Sequence, residues 1–160
     1  MLDRELVTEV LVAARRKSGD FAEVFVEERS STSIRLDDGR VEELTTGLDR
    51  GAGVRVAQGT SYGYAYSNKL DRDALLEAAA AASAALRGDA PGTVVDLTDR
   101  FGPGTNRAGR AADTVAASDK VGWLREVDEV ARGHSPEVTQ VTGIYFDSLQ
   151  RRLIAASDGR

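Results

Sequence analysis

Residues 21–67 read FAEVFVEERSSTSIRLDDGRVEELTTGLDRGAGVRVAQGTSYGYAYS, and apolar and polar side chains alternate along much of this stretch. Such a period of two is typical of strands that bury one face. Asp38-Gly39 lies between two alternating runs and predicts a tight β-hairpin turn. Gly51-Ala52-Gly53 is expected to break or bulge a strand, and Gln58-Gly59 is expected to form a turn. The stretch therefore predicts a meander of about five short antiparallel strands.

Helical patterns flank this meander on both sides. Asp3 is expected to cap a first helix, and Asp71 to cap a second helix whose strong helix formers run from 74 to 86. The apolar stripe of the first helix consists of Leu6, Val7, Val10, Leu11 and Ala14. These patterns predict an α+β fold, in which a curved antiparallel sheet packs its apolar face on helices near 3–18 and 71–87.

A further helix is expected from Ser118, as its cap, to Gly133, as its stop. Its apolar face is expected to contain Val121, Leu124, Val127 and Val130. Two strands at 138–146 and 152–156, joined near Asp147-Ser148, are expected to follow it as a hairpin.

The chain is accordingly divided into three parts. These are an α-β-α domain at 1–88, a Gly/Pro-containing connector at 89–117, and the start of a second helix-plus-hairpin unit at 118–160. The order helix, strand, strand, Asp-Gly-Arg occurs twice, ending at Asp38-Gly39-Arg40 and at Asp158-Gly159-Arg160. A structural repeat and a chance match both remain open; a repeat would make this chain a truncated piece of a longer protein.

The composition excludes several classes of function. The chain of 160 residues has a net charge of -5, which gives no electrostatic reason for binding nucleic acid. It has no cysteine, so disulfides, thiol nucleophiles and cysteine-based metal sites are excluded. No apolar run has the length of a signal peptide or a membrane span, so no membrane association is expected and the default location is cytoplasmic.

Five segments share their order and spacing with one known family. They are FAEVFVE at 21–27, GAGVRV at 51–56, GYAYS at 63–67, DKV to VDEVA at 119–131, and IAASDG at 154–159. The first three resemble the family's opening strand, its G-x-G-V-R segment and the strand before its second helix. The last two resemble the next helix and the strand and turn after it. Together they resemble the N-terminal region of the TldD/PmbA family, once called modulators of DNA gyrase, and the last two are closer to the TldD branch.

The resemblance implies a cytosolic zinc metallopeptidase that works as paired subunits, homodimeric or heterodimeric, and cleaves unfolded or flexible peptides. Its metal motif is H-E-x-x-x-H followed later by a cysteine, and both lie in a C-terminal domain. This chain has one histidine, His134, and no cysteine, so none of those ligands can be assigned to its residues. The resemblance thus implies a non-catalytic N-terminal domain, inactive by itself, that contributes to a substrate channel and to subunit pairing, while the zinc lies outside this chain.

Tyr62, Tyr64 and Tyr66 recur at every second residue and should line one face of a strand. A platform that contacts an extended peptide fits this pattern, and so does ordinary cross-strand packing.

Other candidate residues have simpler structural explanations. His134 follows a helix stop, where an exposed or capping residue is common. The carboxylate pairs Asp37-Asp38 and Glu42-Glu43 flank the predicted hairpin and suit a turn and a solvated strand. The Gly-rich segment 101–107 lacks the Lys-Ser/Thr of a phosphate-binding loop and is predicted to be an ordinary loop. We therefore expect no catalytic residue and no metal ligand in this chain.

Two other classes of function stay open. One is a free-standing interaction module that binds a partner protein through a sheet edge or the tyrosine face. The other is a regulator of DNA gyrase, as the older family name suggests, although the acidic charge does not support direct contact with DNA.

Overall fold

A computed structural model describes residues 2–17, 19–86, 97 and 109–159. Its helices are α1 (Arg4–Ala14), α2 (Arg72–Ala84) and α3 (Ala117–His134), with a short 3-10 turn at Ala112–Thr114. Its strands are β1 (Phe21–Asp37), β2 (Arg40–Gln58), β3 (Ser61–Ser67) and β4 (Thr142–Ala156). They form one antiparallel sheet in the order β3-β2-β1-β4. The predicted α+β class is confirmed.

The meander has three strands where five were predicted. β1 continues through Ser30–Ser33, whose side chains are all half-buried, and the buried positions before and after this segment keep the same even-numbered spacing. β2 continues through Gly51 and Gly53, which leave room for aromatic rings of the neighbouring strand. The break predicted at Gly51-Ala52-Gly53 is therefore wrong, and β1 is one strand rather than two.

The predicted turns are present. Asp38 and Gly39 have φ of 53° and 77°, the left-handed pair that a type I′ hairpin turn requires, and they join β1 to β2. Gly59 has φ of 55° and joins β2 to β3.

Helices α1 and α2 begin where the sequence predicts. The carboxylate of Asp3 accepts a hydrogen bond from the Leu6 amide at 2.8 Å. The carboxylate of Asp71 accepts one from the Ala74 amide at 3.0 Å. Both side chains satisfy amides that the first helical turn leaves without partners.

The predicted helix at 118–133 differs in its bounds and in its buried face. The helix α3 starts after Ala116, not Ser118, and continues past Gly133 to His134. Its buried side chains are Lys120, Leu124 and Asp128, spaced four residues apart. Val127 and Val130, expected on the apolar face, are 56% and 70% exposed.

The hairpin predicted within 138–156 is wrong, because β4 is one continuous strand. Asp147, read as a turn residue, points to the same side of β4 as Tyr145 and forms an ion pair with Lys120 of α3. A carboxylate with such a partner needs no solvent-exposed turn.

Two compact units can be recognised. The first consists of described residues within Met1–Glu28, Arg50–Pro103 and Arg151–Arg160. Helices α1 and α2 supply one side of its core, and β1, β2 and β4 supply the other. The fully buried large side chains of this core are Val7, Val10, Leu11, Val24, Val54, Val56 and Leu75.

The second unit consists of described residues within Arg29–Asp49 and Gly104–Gln150. Its small core contains Ile34, Leu36 and Leu124. The domain division at 1–88, 89–117 and 118–160 stays a prediction. The Gly-rich segment 101–107 lies outside the described residues, and so does Gly88, the last residue of the predicted 1–88 domain and the expected end of its second helix.

Candidate functional site

Three exposed tyrosines line strand β3. Tyr62, Tyr64 and Tyr66 are 71%, 61% and 61% exposed and share the face of β3 that points away from the helices. The sequence predicted that they lie on one face, and the structure places them so. Since β3 is the first strand in the sheet order, this face borders an edge of the sheet.

The rings of Tyr64 and Tyr66 lie over glycines of β2. A Cβ added at Gly53 would be 2.7 Å from the Tyr64 hydroxyl oxygen, and one added at Gly51 would be 2.7 Å from Tyr66 Cε2. In the strand register Tyr66 is opposite Gly53 and Tyr64 is opposite Arg55. Each ring therefore leans two residues along β2, toward Gly51 and Gly53 respectively. Any larger residue at the two glycines would push the rings away from the sheet.

The other face of β3 packs closely on α2. A Cβ at Gly63 would be 2.0 Å from the Ala82 carbonyl oxygen, so only glycine fits there. The helix thus fixes β3 from behind, and the tyrosines point outward from a strand that cannot shift toward the core.

Ion pairs and one further ring extend this face onto β1. Arg55 pairs with Glu23 at 3.3 Å, and Arg152 donates to Glu27 at 3.1 Å. Phe25, between the two glutamates, is 36% exposed. This mixture of flat rings and paired charges is typical of surfaces that contact another chain.

A separate cluster lies in the second unit. Lys120 Nζ is 2.7 Å from Asp147 Oδ2, 3.4 Å from Thr32 Oγ1 and 5.6 Å from the centre of the Tyr145 ring. Burial raises the pKa of Asp147, but hydrogen bonds with Lys120 and Tyr145 outweigh it and hold this pKa below its ordinary value. The bond to Asp147 raises the pKa of Tyr145. Sequence reasoning missed this cluster, because a lysine within a helix normally indicates a solvated face.

The carboxylates around the hairpin have structural partners. Asp38 and the buried Asp128 both pair with Arg132, which lies 3.1 Å from Asp128. Hydrogen bonds from Thr142 and Gln140 lower the pKa of Asp37. The Arg132 pairs join the turn to the end of α3, and the Asp37 bonds join it to the start of β4.

No metal-binding set is formed by the described residues. His134 is exposed at the C-terminal end of α3, and Glu42 and Glu43 are exposed on β2. Among residues 2–17, 19–86, 97 and 109–159, no three His, Asp or Glu side chains cluster as metal ligands. A catalytic zinc normally has three protein ligands, so these residues do not fit one.

Comparison with known proteins identifies the family. A domain described as "PmbA/TldA metallopeptidase domain 1" matches residues 22–86, and the "PmbA/TldA metallopeptidase central domain" matches residues 110–160. A metalloprotease of Synechocystis is 31% identical over 93% of this chain, and a metalloprotease TldD homologue of Haemophilus influenzae is 26% identical over 88%. The chain belongs to the TldD/PmbA metallopeptidase family and corresponds to its N-terminal region.

Solved structures share the fold. A protein of Thermotoga maritima described as a modulator of DNA gyrase has a TM-score of 0.74 at 16% identity, covering 98% of this chain and 35% of its own. TldE from Thermococcus kodakarensis has a TM-score of 0.69 at 19% identity, covering 96% of this chain and 35% of its own.

The chain spans about a third of the length of the curated relatives, 32% of the Synechocystis protein and 30% of the Haemophilus protein. None of the helices formed by the described residues has the length and apolar character needed to cross a membrane.

Proposed function

We propose that this chain is a non-catalytic part of a TldD/PmbA-type zinc metallopeptidase, which admits unfolded or flexible peptides and pairs with another subunit. The zinc and the hydrolytic step belong to residues outside this chain. Its partners are an extended peptide and a homologous subunit, identical or different, and it acts in the cytoplasm. The family membership and the lack of a ligand set among the described residues support this division of labour.

The main support for this proposal is the exposed face formed by the three tyrosines of β3. Extended backbone presents side chains at every second residue, and Tyr62, Tyr64 and Tyr66 repeat with the same period. Tyrosine gives a large contact area at low entropic cost, because few torsions must be fixed. The face can therefore hold varied sequences, as a channel for flexible substrates requires.

Peptide binding tests the role of the rings. The probe is a short fluorescein-labelled peptide of Gly, Ser and Tyr without stable structure, followed by fluorescence anisotropy. The double variant Tyr64→Ser/Tyr66→Ser should bind it about tenfold more weakly. Phe146→Ser, which removes a 60% exposed ring from β4, is the matched control and should bind normally. Equal binding by all three proteins would refute the peptide-contact role.

A second variant tests whether the position of the tyrosine rings matters as well as their presence. Gly53→Ala keeps every tyrosine but displaces the Tyr64 ring, whose hydroxyl would be 2.7 Å from the new Cβ. The fold should persist because a flexible ring can move, whereas affinity for the same peptide should fall. Unchanged affinity would show that the flat arrangement is irrelevant.

The alternative is a free-standing module that binds a protein partner through a sheet edge or the face formed by Tyr62, Tyr64 and Tyr66. Their exposure is compatible with this function too. The coding sequence after Arg160 discriminates between the two. An H-E-x-x-x-H motif with a later cysteine supports the peptidase, and a stop codon supports the module.

A further inference from the structure

A groove of about 470 Å³ follows the end of β3 and the flank of α2. The strand contributes Ala65, Tyr66 and Ser67, and the helix contributes Asp73, Glu77 and Ala81. Ala65 and Tyr66 belong to opposite faces of β3, so the groove must run along the edge of the strand.

The backbone at this edge is available for pairing. β3 is terminal in the sheet order, and β2, through residues 52–58, is its neighbour. Among the described residues no strand pairs with its other edge. An extended peptide can therefore be added there through main-chain hydrogen bonds, which do not depend on sequence.

The helical side of the groove is acidic. The side chain of Asp73 is 96% exposed and lies 3.9 Å from Arg72, a weak solvent-exposed contact. Glu77 is exposed and has no ion-pair partner among the described residues. Lys69 also lines the groove, near its end at Ser67, and Asp71 is engaged in capping α2. Asp73 and Glu77 thus face the solvent with negative charge.

The spacing of these carboxylates matches a strand. Asp73 and Glu77 are four residues apart on α2, which is about 6 Å along the helix axis. Alternate side chains of an extended peptide are about 6.6 Å apart and point to the same side. Gly63 contacts Ala82 while Ser67 lies near the start of α2, so helix and strand run alongside each other in opposite directions.

We infer that this groove binds basic peptide segments as an added β-strand, with Lys or Arg at alternate positions facing Asp73 and Glu77. The inference rests on the proposed function and specifies its substrate class. The intervening side chains of the peptide lie beside the tyrosine face. Main-chain bonds to β3 provide general affinity, and the two carboxylates select basic segments.

The test uses labelled peptides and the 160-residue chain. The probe alternates Lys and Thr, and its control has the same composition with all lysines in one block. The alternating peptide should bind severalfold more tightly than the block peptide. N-methylation of every second residue, at the amides that would pair with β3, should remove this difference in affinity. Asp73→Asn/Glu77→Gln should weaken its binding about fivefold at low salt. Glu126→Gln, on the exposed side of α3, should change nothing.

The outcomes separate this inference from the proposal on which it rests. Equal affinity for alternating and block peptides, or no effect of the Asp73/Glu77 variant, overturns the groove assignment. If Tyr64→Ser/Tyr66→Ser still weakens the uncharged peptide in that case, the proposed function stands. If no peptide binds at all, both fail.

Discussion

Gly63 is a point of close approach between β3 and α2. Its replacement by alanine would place a methyl group 2.0 Å from the Ala82 carbonyl oxygen, which is backbone and cannot rotate away. We expect Gly63→Ala to lower the free energy of unfolding by about 2–3 kcal/mol, measured by urea denaturation. Gly122→Ala is the control, since nothing lies within 4 Å of the added Cβ. It should stabilise α3 by about 0.5–1 kcal/mol. Equal effects at both sites would contradict the close packing.

The ion pair between Asp147 and Lys120 gives a second prediction. The pKa of Asp147 is held below the ordinary value of an aspartate, so the ion pair stabilises the folded state at neutral pH, and this contribution is lost as the pH falls through the folded pKa. Asp147→Asn should cost about 2 kcal/mol at pH 7, because it leaves the buried Lys120 charge without its partner. Urea titrations between pH 7 and pH 3 should show that the difference in free energy of unfolding between Asp147→Asn and the parent protein becomes smaller below about pH 4. A difference that does not change with pH would show that the ionised Asp147 carboxylate is not the cause.

The elements differ in how well the sequence predicts them. Asp3 and Asp71 are local signals, since the capping side chain and its amide are three residues apart, and both are used as expected. The hairpin at Asp38-Gly39 is equally local. The continuity of β2 depends on residues far along the chain, because rings of β3 fill the room left by Gly51 and Gly53. A sequence pattern cannot distinguish that use of glycine from a break.

The buried face of α3 was missed for a related reason. Lys120 and Asp128 are buried because Asp147 and Arg132 neutralise them, and no periodicity in the helix reveals partners elsewhere. The tyrosine face was predictable as a face. Its flat rings and the neighbouring groove depend on β2 and α2 and were not predictable.

The cap of α2 can be tested separately. Asp71→Ala removes the acceptor for the Ala74 amide and should destabilise the protein by about 1 kcal/mol. Asp71→Ser retains an oxygen acceptor and should lose much less. Urea midpoints of both variants check this, and a serine as damaging as alanine would exclude capping as the cause.

For the whole molecule, we expect no stoichiometric zinc after dialysis and no hydrolysis of flexible peptides by this chain. The ligand set normally needed by a catalytic zinc is not formed among the described residues. Elemental analysis and a fluorogenic peptide assay test the expectation. One tightly held zinc per chain would refute it.

We also expect copies of this chain to associate with one another. β4 is terminal in the sheet order of the described residues, so we expect one of its edges, near residues 150–157, to be open. Exposed strand edges pair readily with other chains. Light scattering should show concentration-dependent self-association, and Ile154→Lys on β4 should reduce it. Val130→Lys, at a similarly exposed position on α3, should not. A strict monomer at all concentrations would contradict the prediction.

The matched spacing of buried residues at the two ends of β1 limits how this chain can change length. Val24 and Val26 near its start and Ile34 and Leu36 near its end are buried, and all four stand at even-numbered positions of the strand. Loss of a single residue from Ser30–Ser33 would rotate one half of the strand and turn its apolar side chains into water. Insertions and deletions here should therefore be tolerated only in pairs, so related sequences should differ in this segment by even numbers of residues.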